Sequence, residues 1–311
     1  MISNRDITME QSRYNDYNTY LRQLYNCRVQ KITIDAGFTC PNRDGTKSNN
    51  GCIYCNDKGS GTGAYQKGLS ITDQLNIGKQ SLARRYKAKK FIAYFQSFSN
   101  TYAPLPQIKR AYEEALAVKD IVGLSIGTRP DCVNEKVLDY LSELNQSYPI
   151  WIEYGLQSSH DETLNRINRG HDCQTFSRAV YQTKKRKLSV CVHIILGLPG
   201  ETPHMMLQTA DYLNHISIDA IKLHLLYVIK GTQLDFLYQT GKYQCLSQKI
   251  YSNLVCSFIA RTAKHVIFQR LTGDPHPEEL VAPLWALQKK RNLQAIKDML
   301  EQRDIWQGQQ L

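Results

Sequence analysis

Six short segments rich in β-branched and aromatic residues alternate with helical segments, and this alternation limits the fold more than any other feature of the chain. The predicted strands are 29–35, 90–96, 121–127, 150–157, 188–196 and 220–227. The predicted helices are 71–86, 105–118, 134–144, 162–167, 175–187 and 205–215. Strand–helix units in series predict a parallel sheet. No dinucleotide-binding glycine fingerprint follows the first strand, so we expect an α/β fold with a partial (β/α)6 barrel.

The rest of the chain flanks this barrel. We expect an N-terminal helical segment (1–28) with an amphipathic helix over about 11–28, a barrel over 29–235 and a mostly helical C-terminal extension over 236–311. Hydrophobic residues make up 42% of the chain and charged residues 22%, as in ordinary globular proteins. No run approaches the ~18 apolar residues that a membrane helix needs, so we expect no membrane association.

Each predicted strand has one polar and one apolar face, although strands buried on both sides of a parallel sheet usually read as continuous apolar runs. The polar faces carry Thr33, Asp35, Tyr94, Gln96, Ser125, Arg129, Glu153, Gln157, Cys191, His193, Lys222 and His224. Because side chains alternate with period two, the apolar faces must pack on the outer helices and the polar faces must line the interior. The alternatives for this interior are a mutually satisfied polar core and a pocket for a zwitterionic ligand, and the pocket is favoured.

Three cysteines, Cys40, Cys52 and Cys55, lie in the predicted loop 36–63, whose proline and glycines exclude a helix. Three thiolates on a [4Fe–4S] cluster leave one iron open for chemistry. A structural zinc site is the alternative, with Cys27 as the nearest fourth ligand. A disulfide framework is disfavoured because 311 residues build a core without cross-links and nine cysteines are an odd number.

The trio, with Tyr54 directly before its last cysteine, resembles the cluster loop of radical S-adenosylmethionine (SAM) enzymes, with eleven residues between the first two cysteines. Motifs at 127–131, 155–158, 168–171 and 197–201 resemble the radical SAM core of the Elongator catalytic subunit and the oxygen-independent coproporphyrinogen oxidases. All four lie at or after the carboxyl ends of predicted strands, where a barrel places its active site. The resemblance implies a TIM-like radical SAM barrel whose cluster cleaves SAM to a 5'-deoxyadenosyl radical.

The resemblance also implies which residues bind the cofactors. The cluster ligands would be Cys40, Cys52 and Cys55. The SAM contacts would be Tyr54, Gln96, Ser97, Ser125, Arg129, Glu153, Gln157, Ser158, Arg169, Ile195 and Gly197. Gly127 stands where some relatives have an acidic ribose ligand, so Ser125 or Glu153 is the expected substitute.

The segments 40–45, 126–132, 222–225 and 282–285 resemble a narrower bacterial group, the YtqA/YhcC-like radical SAM proteins. Members of the YtqA type (MnmL) are associated with conversion of 5-carboxymethylaminomethyl-uridine, often 2-thiolated, to 5-aminomethyl-uridine at the tRNA wobble position. The resemblance thus implies tRNA and an electron donor such as flavodoxin or ferredoxin as partners. The unpaired cysteines and the cluster favour a reducing cytoplasm.

Lysine and arginine number 39 against 28 aspartates and glutamates, a net charge of +11, which favours a polyanionic partner. Basic residues cluster at 84–90, 184–187 and 289–291 and either contact RNA or occupy the last turns of helices. Two alternatives remain for function. One is radical chemistry on a small metabolite or peptide, and the other is a non-catalytic, metal-containing RNA-binding module.

Lys222, His224 and His193 are the candidate catalytic residues. Lys222 and His224 share a strand face about 6–7 Å apart, on the strand farthest from the expected SAM contacts. We expect them to bind a substrate carboxylate. The alternative is that Lys222 neutralises Asp35 or Glu153 inside the barrel.

Overall fold

A computed structural model describes residues 12–59 and 63–311 and is built around a parallel sheet. The strands in chain order are β1 (Val29–Ile34), β2 (Lys90–Phe95), β3 (Ile121–Thr128), β4 (Ile150–Gln157), β5 (Ser189–Leu196), β6 (Ala220–Leu225), β7 (Val228–Ile229), β8 (Ile267–Arg270) and β9 (Leu280–Ala282). Seven of them pair in the order β1-β2-β3-β4-β5-β6-β8 and curl into a half-barrel, while β7 and β9 form a small antiparallel sheet.

Helices connect the strands and cover the outside of the sheet. They are α1 (Tyr17–Tyr25), α2 (Ile71–Tyr86), α3 (Leu105–Ala117), α4 (Glu135–Leu144), α5 (Asp161–Arg166), α6 (Cys173–Lys185), α7 (Pro203–Asn214), α8 (Gln233–Gln239), α9 (Gln248–Arg261) and α10 (Lys289–Gln302). Side-chain caps fix several starts, for example Ser70 before α2 and Asp172 before α6, because a polar side chain there accepts an otherwise unpaired backbone N–H.

The predicted alternation is confirmed, and each of the six expected strands begins and ends within two residues of its predicted bounds. The parallel sheet has seven strands, one more than predicted, and two further short strands form the separate antiparallel sheet. β8 lies in the segment expected to be mostly helical and pairs in parallel with β6. It has only four residues, and the free edge of β6 supplies the hydrogen bonds that make it a strand.

The outward faces of the strands are apolar, as predicted. Ile32, Phe95, Ile126, Tyr154 and Leu223 are among the buried residues of the main core, where the sheet meets the surrounding helices. The inward faces of the strands enclose the lumen of the barrel. We call the opening at the carboxyl ends of the strands the mouth, and the opposite side of the lumen the floor. Inward side chains from different strands therefore meet in the lumen.

The floor of the lumen is apolar, which differs from the expectation of polar side chains along the whole interior. The first inward residue of several strands joins a second buried cluster that contains Val29, Ile92, Trp151, Cys191, Ala220 and Ile267. Tyr17 and Leu21 of α1 complete this cluster, so the N-terminal helix closes the floor. Only the upper levels of the lumen carry polar groups.

The N-terminal helix is shorter than the predicted 11–28, and residues 1–11 lie outside the described part of the chain. Residues 60–62 of the predicted loop 36–63 also lie outside it. Within the described ranges, none of the helices combines the length and the apolar character needed to cross a bilayer.

Candidate active site

The cysteine trio lies in the loop after β1, at the mouth of the barrel. Cys40 and Cys52 are buried and Cys55 is partly buried, and all three are free thiols. Cys27 precedes β1 and packs on the floor cluster. Six residues of strand, roughly 20 Å, separate it from the trio, so Cys27 is not placed to be a fourth ligand.

The trio supplies three thiolates, the number that leaves one iron of a [4Fe–4S] cluster open. A second group of candidate metal ligands lies deeper in the barrel. Within the described ranges, one ligand atom from each of Glu153, Cys191 and His193 lies within 4.8 Å of the others, at the lower levels of the lumen.

Asparagine side chains hold this loop against the segment after α5. Asn42 Nδ2 donates to the carbonyl oxygens of Asn168 (2.6 Å) and Arg169 (3.1 Å). Asn168 Nδ2 donates in return to the carbonyl of Gly51 (2.6 Å). A loop of this length gains little order from its own residues, so these bonds fix the positions of the cysteines.

Arg169 links the cysteines to the end of β4. Its Nε and Nη2 donate to the carbonyl of Gly155 (3.1 and 2.6 Å), and its Nη1 lies 3.5 Å from Cys52 Sγ. A Cβ at Gly155 would lie 2.5 Å from Arg169 Nη2 and 2.6 Å from the Gln157 side chain, so a larger residue here would displace these two side chains. The hydrogen bond from Cys55 and the charges of Arg169 and Arg129 hold the pKa of Cys52 well below that of a free thiol. This shift favours the thiolate of Cys52, the form that binds iron.

Several buried polar atoms around the mouth have no partner among the described residues. Five of them belong to predicted SAM contacts and form the unpaired polar set: Tyr54 Oη, Ser97 Oγ, Ser125 Oγ, Arg129 Nη1 and Gln157 Oε1. Each buried and unpaired group costs roughly 1–3 kcal/mol. Four of them, in the cysteine loop or at the strand ends, fit a polar ligand at the mouth, whereas Ser125 lies deeper as the register partner of the floor residue Trp151.

The backbone also bends at this level. Gln157 has a φ of 80° at a bulge that shifts the register of β4 against β5. Arg129 forms two bonds of 2.9 Å with the carboxylate of Asp131, which leaves its Nη1 for another acceptor. Such strained or partly satisfied groups persist at sites that hold a ligand.

Four further predicted SAM contacts have different surroundings. Ser158 Oγ donates to the carboxylate of Glu201. Ile195 is part of the main core, Gln96 is half-buried after β2, and the carbonyl of Gly197 accepts a bond from Tyr243 Oη (2.9 Å). Their contacts with SAM remain predictions.

Glu153 is the centre of a buried charge network below the mouth. Its Oε1 accepts from Lys31 Nζ (2.6 Å), and its Oε2 accepts from His193 Nε2 (2.8 Å) and from Lys222 Nζ. Burial alone would raise the pKa of Glu153, but Lys222, Lys31 and His193 outweigh it and keep the pKa well below the usual range. Three donors thus hold Glu153 in place, and its contact with the ribose of SAM remains a prediction.

The three candidate catalytic residues meet at this network. Lys222 is buried, pairs with Glu153 and lies 3.9 Å from the ring centroid of Tyr94, so the pairing weighed as the alternative is present. His193 and His224 face each other with ring centroids 5.1 Å apart. Burial lowers the pKa of His193 to about 4 and that of His224 well below its usual value, so both rings are neutral at pH 7. A substrate role for these residues remains a prediction.

Sequence reasoning missed four residues of the site: Lys31, Gln269, Arg270 and Asn42. Lys31 shares the polar face of Thr33 and Asp35, so period-two alternation could have found it. Lys31 Nζ also donates to Gln269 Oε1 (2.6 Å) and so joins the first strand to the last across the open side of the barrel. Gln269 and Arg270 directly follow the short apolar run 266–268, which is the one feature of the local sequence that indicates β8.

Two of the three basic clusters lie at the floor end. Residues 84–90 end α2 and start β2, and residues 184–187 end α6, where Lys184 pairs with Asp219 just before β6. The third cluster, 289–291, begins α10 on the mouth side. Trp285, just before this cluster, donates a hydrogen bond to the carbonyl of Leu246. The side chain of Leu246 packs against Gly197, which follows the carboxyl end of β5 and so marks the mouth. Only this third cluster is placed to contact a substrate at the mouth.

The fold, the cysteine loop and the unpaired polar set agree with comparisons to known proteins. The Radical SAM superfamily profile matches residues 45–213, more than half of the chain, and the radical SAM C-terminal domain profile matches 218–302. The chain therefore belongs to the radical SAM superfamily, whose cofactors are a [4Fe–4S] cluster and SAM.

Within the superfamily the chain groups with compact relatives. It is 40% identical to YtqA of Bacillus subtilis over 298 residues (96% of this chain, 92% of YtqA) and 40% identical to YhcC of Escherichia coli K12 over 266 residues (85% of each). It is 27% identical over 147 residues to the tRNA uridine(34) acetyltransferase of Methanocaldococcus infernus, covering 43% of this chain and 26% of that protein. The solved structure of M. infernus Elp3 lacking residues 1–46 matches with a TM-score of 0.68 at 16% identity, over 90% of this chain and 64% of that one.

Proposed function

We propose that this radical SAM enzyme modifies tRNA at the wobble uridine, converting 5-carboxymethylaminomethyl-(2-thio)uridine to 5-aminomethyl-(2-thio)uridine. The similarity to a tRNA uridine(34) acetyltransferase carries the proposal. The net charge of +11 supports it, because a strongly basic surface favours a polyanion. The exposed residues Lys290 and Arg291 supply basic groups on the mouth side.

In this proposal Cys40, Cys52 and Cys55 hold the cluster, and the unpaired polar set binds SAM beside it. Bound together, the cluster and SAM supply a radical that abstracts hydrogen from the substrate. Arg169 orients Cys52 through the hydrogen bond to its sulfur. Neutral His193 and His224 face the deeper lumen, where they offer hydrogen bonds without adding charge. The bond that breaks is the C–N bond to the carboxymethyl group. Its CH2 carbon would lose a hydrogen atom to the radical and one electron to a one-electron acceptor, and addition of water to the resulting imine would release glyoxylate and leave the amine on the uridine.

The proposal includes an electron donor, since SAM cleavage consumes one electron. A flavodoxin or ferredoxin in a reducing cytoplasm meets this need. The surface where this electron donor docks has to lie close to the cysteine loop, because the electron must reach the cluster that the loop holds.

Mass spectrometry of tRNA nucleosides from a deletion strain tests the substrate. We expect 5-carboxymethylaminomethyl-uridine to accumulate and 5-aminomethyl-uridine to disappear. Wild-type protein should restore the product, and Cys52→Ala, which keeps the RNA surface but lacks a cluster ligand, should not. If both nucleosides stay at wild-type levels while the purified enzyme still forms 5'-deoxyadenosine, the substrate is a small metabolite or peptide instead.

A further inference from the structure

Arg270 ends the seventh strand beside Lys222. The two residues are register partners in β8 and β6, at a bulge where β8 has one more residue than β6. Arg270 is partly exposed, and none of the described residues accepts a hydrogen bond from its guanidinium or pairs with it. This distinguishes Arg270 from Lys31, Lys222, Arg129 and Arg169, which all have partners.

Arg270 stands outside the ion-pair network of the lumen. Lys31, His193 and Lys222 donate the three hydrogen bonds that Glu153 accepts, and none of them comes from Arg270. The nearby histidines are neutral at pH 7. Because charged groups taken out of water are normally paired, a partly buried guanidinium without a partner favours an anion from outside the chain.

Arg270 lies at the same end of the last two strands of the sheet as His224. His224 is two residues after Lys222, the register partner of Arg270, and burial together with the charge of Arg270 lowers the pKa of His224 well below its usual value. His224 Nε2 is buried and has no partner among the described residues. Gly273, three residues after Arg270, lies against the ring of Tyr227, since a Cβ there would be 2.6 Å from a ring carbon, so the chain after β8 runs beside the end of β6 on the mouth side.

The predicted SAM contacts and the residues around Arg270 lie on different strands of the barrel. The predicted SAM contacts lie within 54–197, and all but Tyr54 come from β2 to β5 or the loops after them. Lys222, His224 and Arg270 come from β6 and β8, inside the C-terminal match over 218–302. The wall opposite the SAM contacts is thus built by the part of the chain beyond the superfamily core.

We propose that Arg270, assisted by His224, binds a carboxylate of the substrate inside the lumen. The inference rests on the proposed function for the identity of that carboxylate, the carboxymethyl group on the wobble uridine. Arginine suits this role because its planar fork can donate two parallel hydrogen bonds to a carboxylate. Lys222, which the sequence assigned to this task, is engaged by Glu153.

The test uses the reconstituted holoenzyme with SAM and an anticodon stem-loop RNA that carries 5-carboxymethylaminomethyl-uridine either as the free acid or as its methyl ester. Anaerobic calorimetry should show that the wild type prefers the acid by about tenfold to a hundredfold. Arg270→Gln should abolish the preference, while Arg270→Lys should retain part of it. Arg178→Gln, which removes an exposed arginine from α6, is the matched control and should bind as the wild type does.

A second readout does not depend on the RNA. Anomalous diffraction from holoenzyme crystals soaked in sodium bromide should place a bromide at the Arg270 guanidinium. If the wild type does not discriminate acid from ester but bromide binds at Arg270, the anion site stands and the proposed substrate fails. If Arg270→Gln keeps the wild-type preference, or if neither preference nor bromide is found, the anion site is overturned. If Arg270→Gln loses the iron–sulfur absorption, it cannot be compared with the wild type. The acid–ester preference of the wild type and the bromide position in wild-type crystals then decide whether the anion site exists.

Discussion

Lys222 on β6 and Glu153 on β4 form a buried ion pair across the lumen, past the intervening strand β5. The pair makes Lys222 part of the frame of the barrel as well as a lining residue. Lys31 shares the same carboxylate, so two ammonium groups compete for one anion, and burial lowers the pKa of Lys222 to about 7. This network separates the apolar floor from the mouth where the cysteines lie.

Replacing Lys222 by methionine should lower the melting temperature. Breaking a buried pair costs on the order of 3–5 kcal/mol, and the remaining Lys31 and His193 should keep the loss at the lower end. Differential scanning calorimetry of Lys222→Met, Glu153→Gln and the double variant measures the coupling between the two sites. An unchanged melting temperature with loss of turnover would instead assign Lys222 to the substrate.

Each cysteine of the trio should be indispensable for the cluster. Cys40→Ala, Cys52→Ala and Cys55→Ala should lose the brown iron–sulfur absorption and the formation of 5'-deoxyadenosine, because a cluster with two thiolates is released. Cys173→Ala is the control: its thiol lies at the start of α6 near the carbonyl of Ser158 and should not affect either readout. A stable cluster in Cys52→Ala would contradict the assignment.

Gly155→Ala should weaken SAM binding with little effect on folding. The new methyl group would lie 2.5 Å from Arg169 Nη2, so Arg169 must leave the carbonyl that holds it beside Cys52. We expect about a tenfold rise in the Kd for SAM, the equivalent of one charge-assisted hydrogen bond. Gly241→Ala adds a methyl group where there is open space and should leave the Kd unchanged, which makes it the control for the added methyl group.

Charge reversal should reveal which basic cluster meets RNA. Lys290→Glu with Arg291→Glu, on the mouth side, should weaken tRNA binding and flatten its salt dependence by ~0.9 for each phosphate that the protein no longer neutralises. Lys185→Glu with Lys187→Glu changes the same charge at the floor end and should bind tRNA as the wild type does. Equal weakening in both double variants would mean that attraction is non-specific, and wild-type affinity in both would favour a small substrate.

The local pattern of the sequence alone determined the strands, their apolar faces and the position of the cysteine loop. Period-two alternation predicted the six strands and their outward faces, since a strand half-buried against helices has to present Ile32 or Leu223 on one side and polar groups on the other. The loop with Cys40, Cys52 and Cys55 and the motifs at the strand ends predicted the superfamily and the end of the barrel where its chemistry occurs.

Only the tertiary structure decided what the inward side chains bind. Lys222 and Glu153 are 69 residues apart in the chain, Lys31 and Glu153 are 122 apart, and Lys31 and Gln269 are 238 apart. No local pattern encodes such pairs, because they form only when the sheet curls and brings distant strands to one level of the lumen. For the same reason β8 was missed: a four-residue segment is too short to be a strand by itself, and the edge of β6 makes it one and thereby leaves Arg270 without a partner among the described residues.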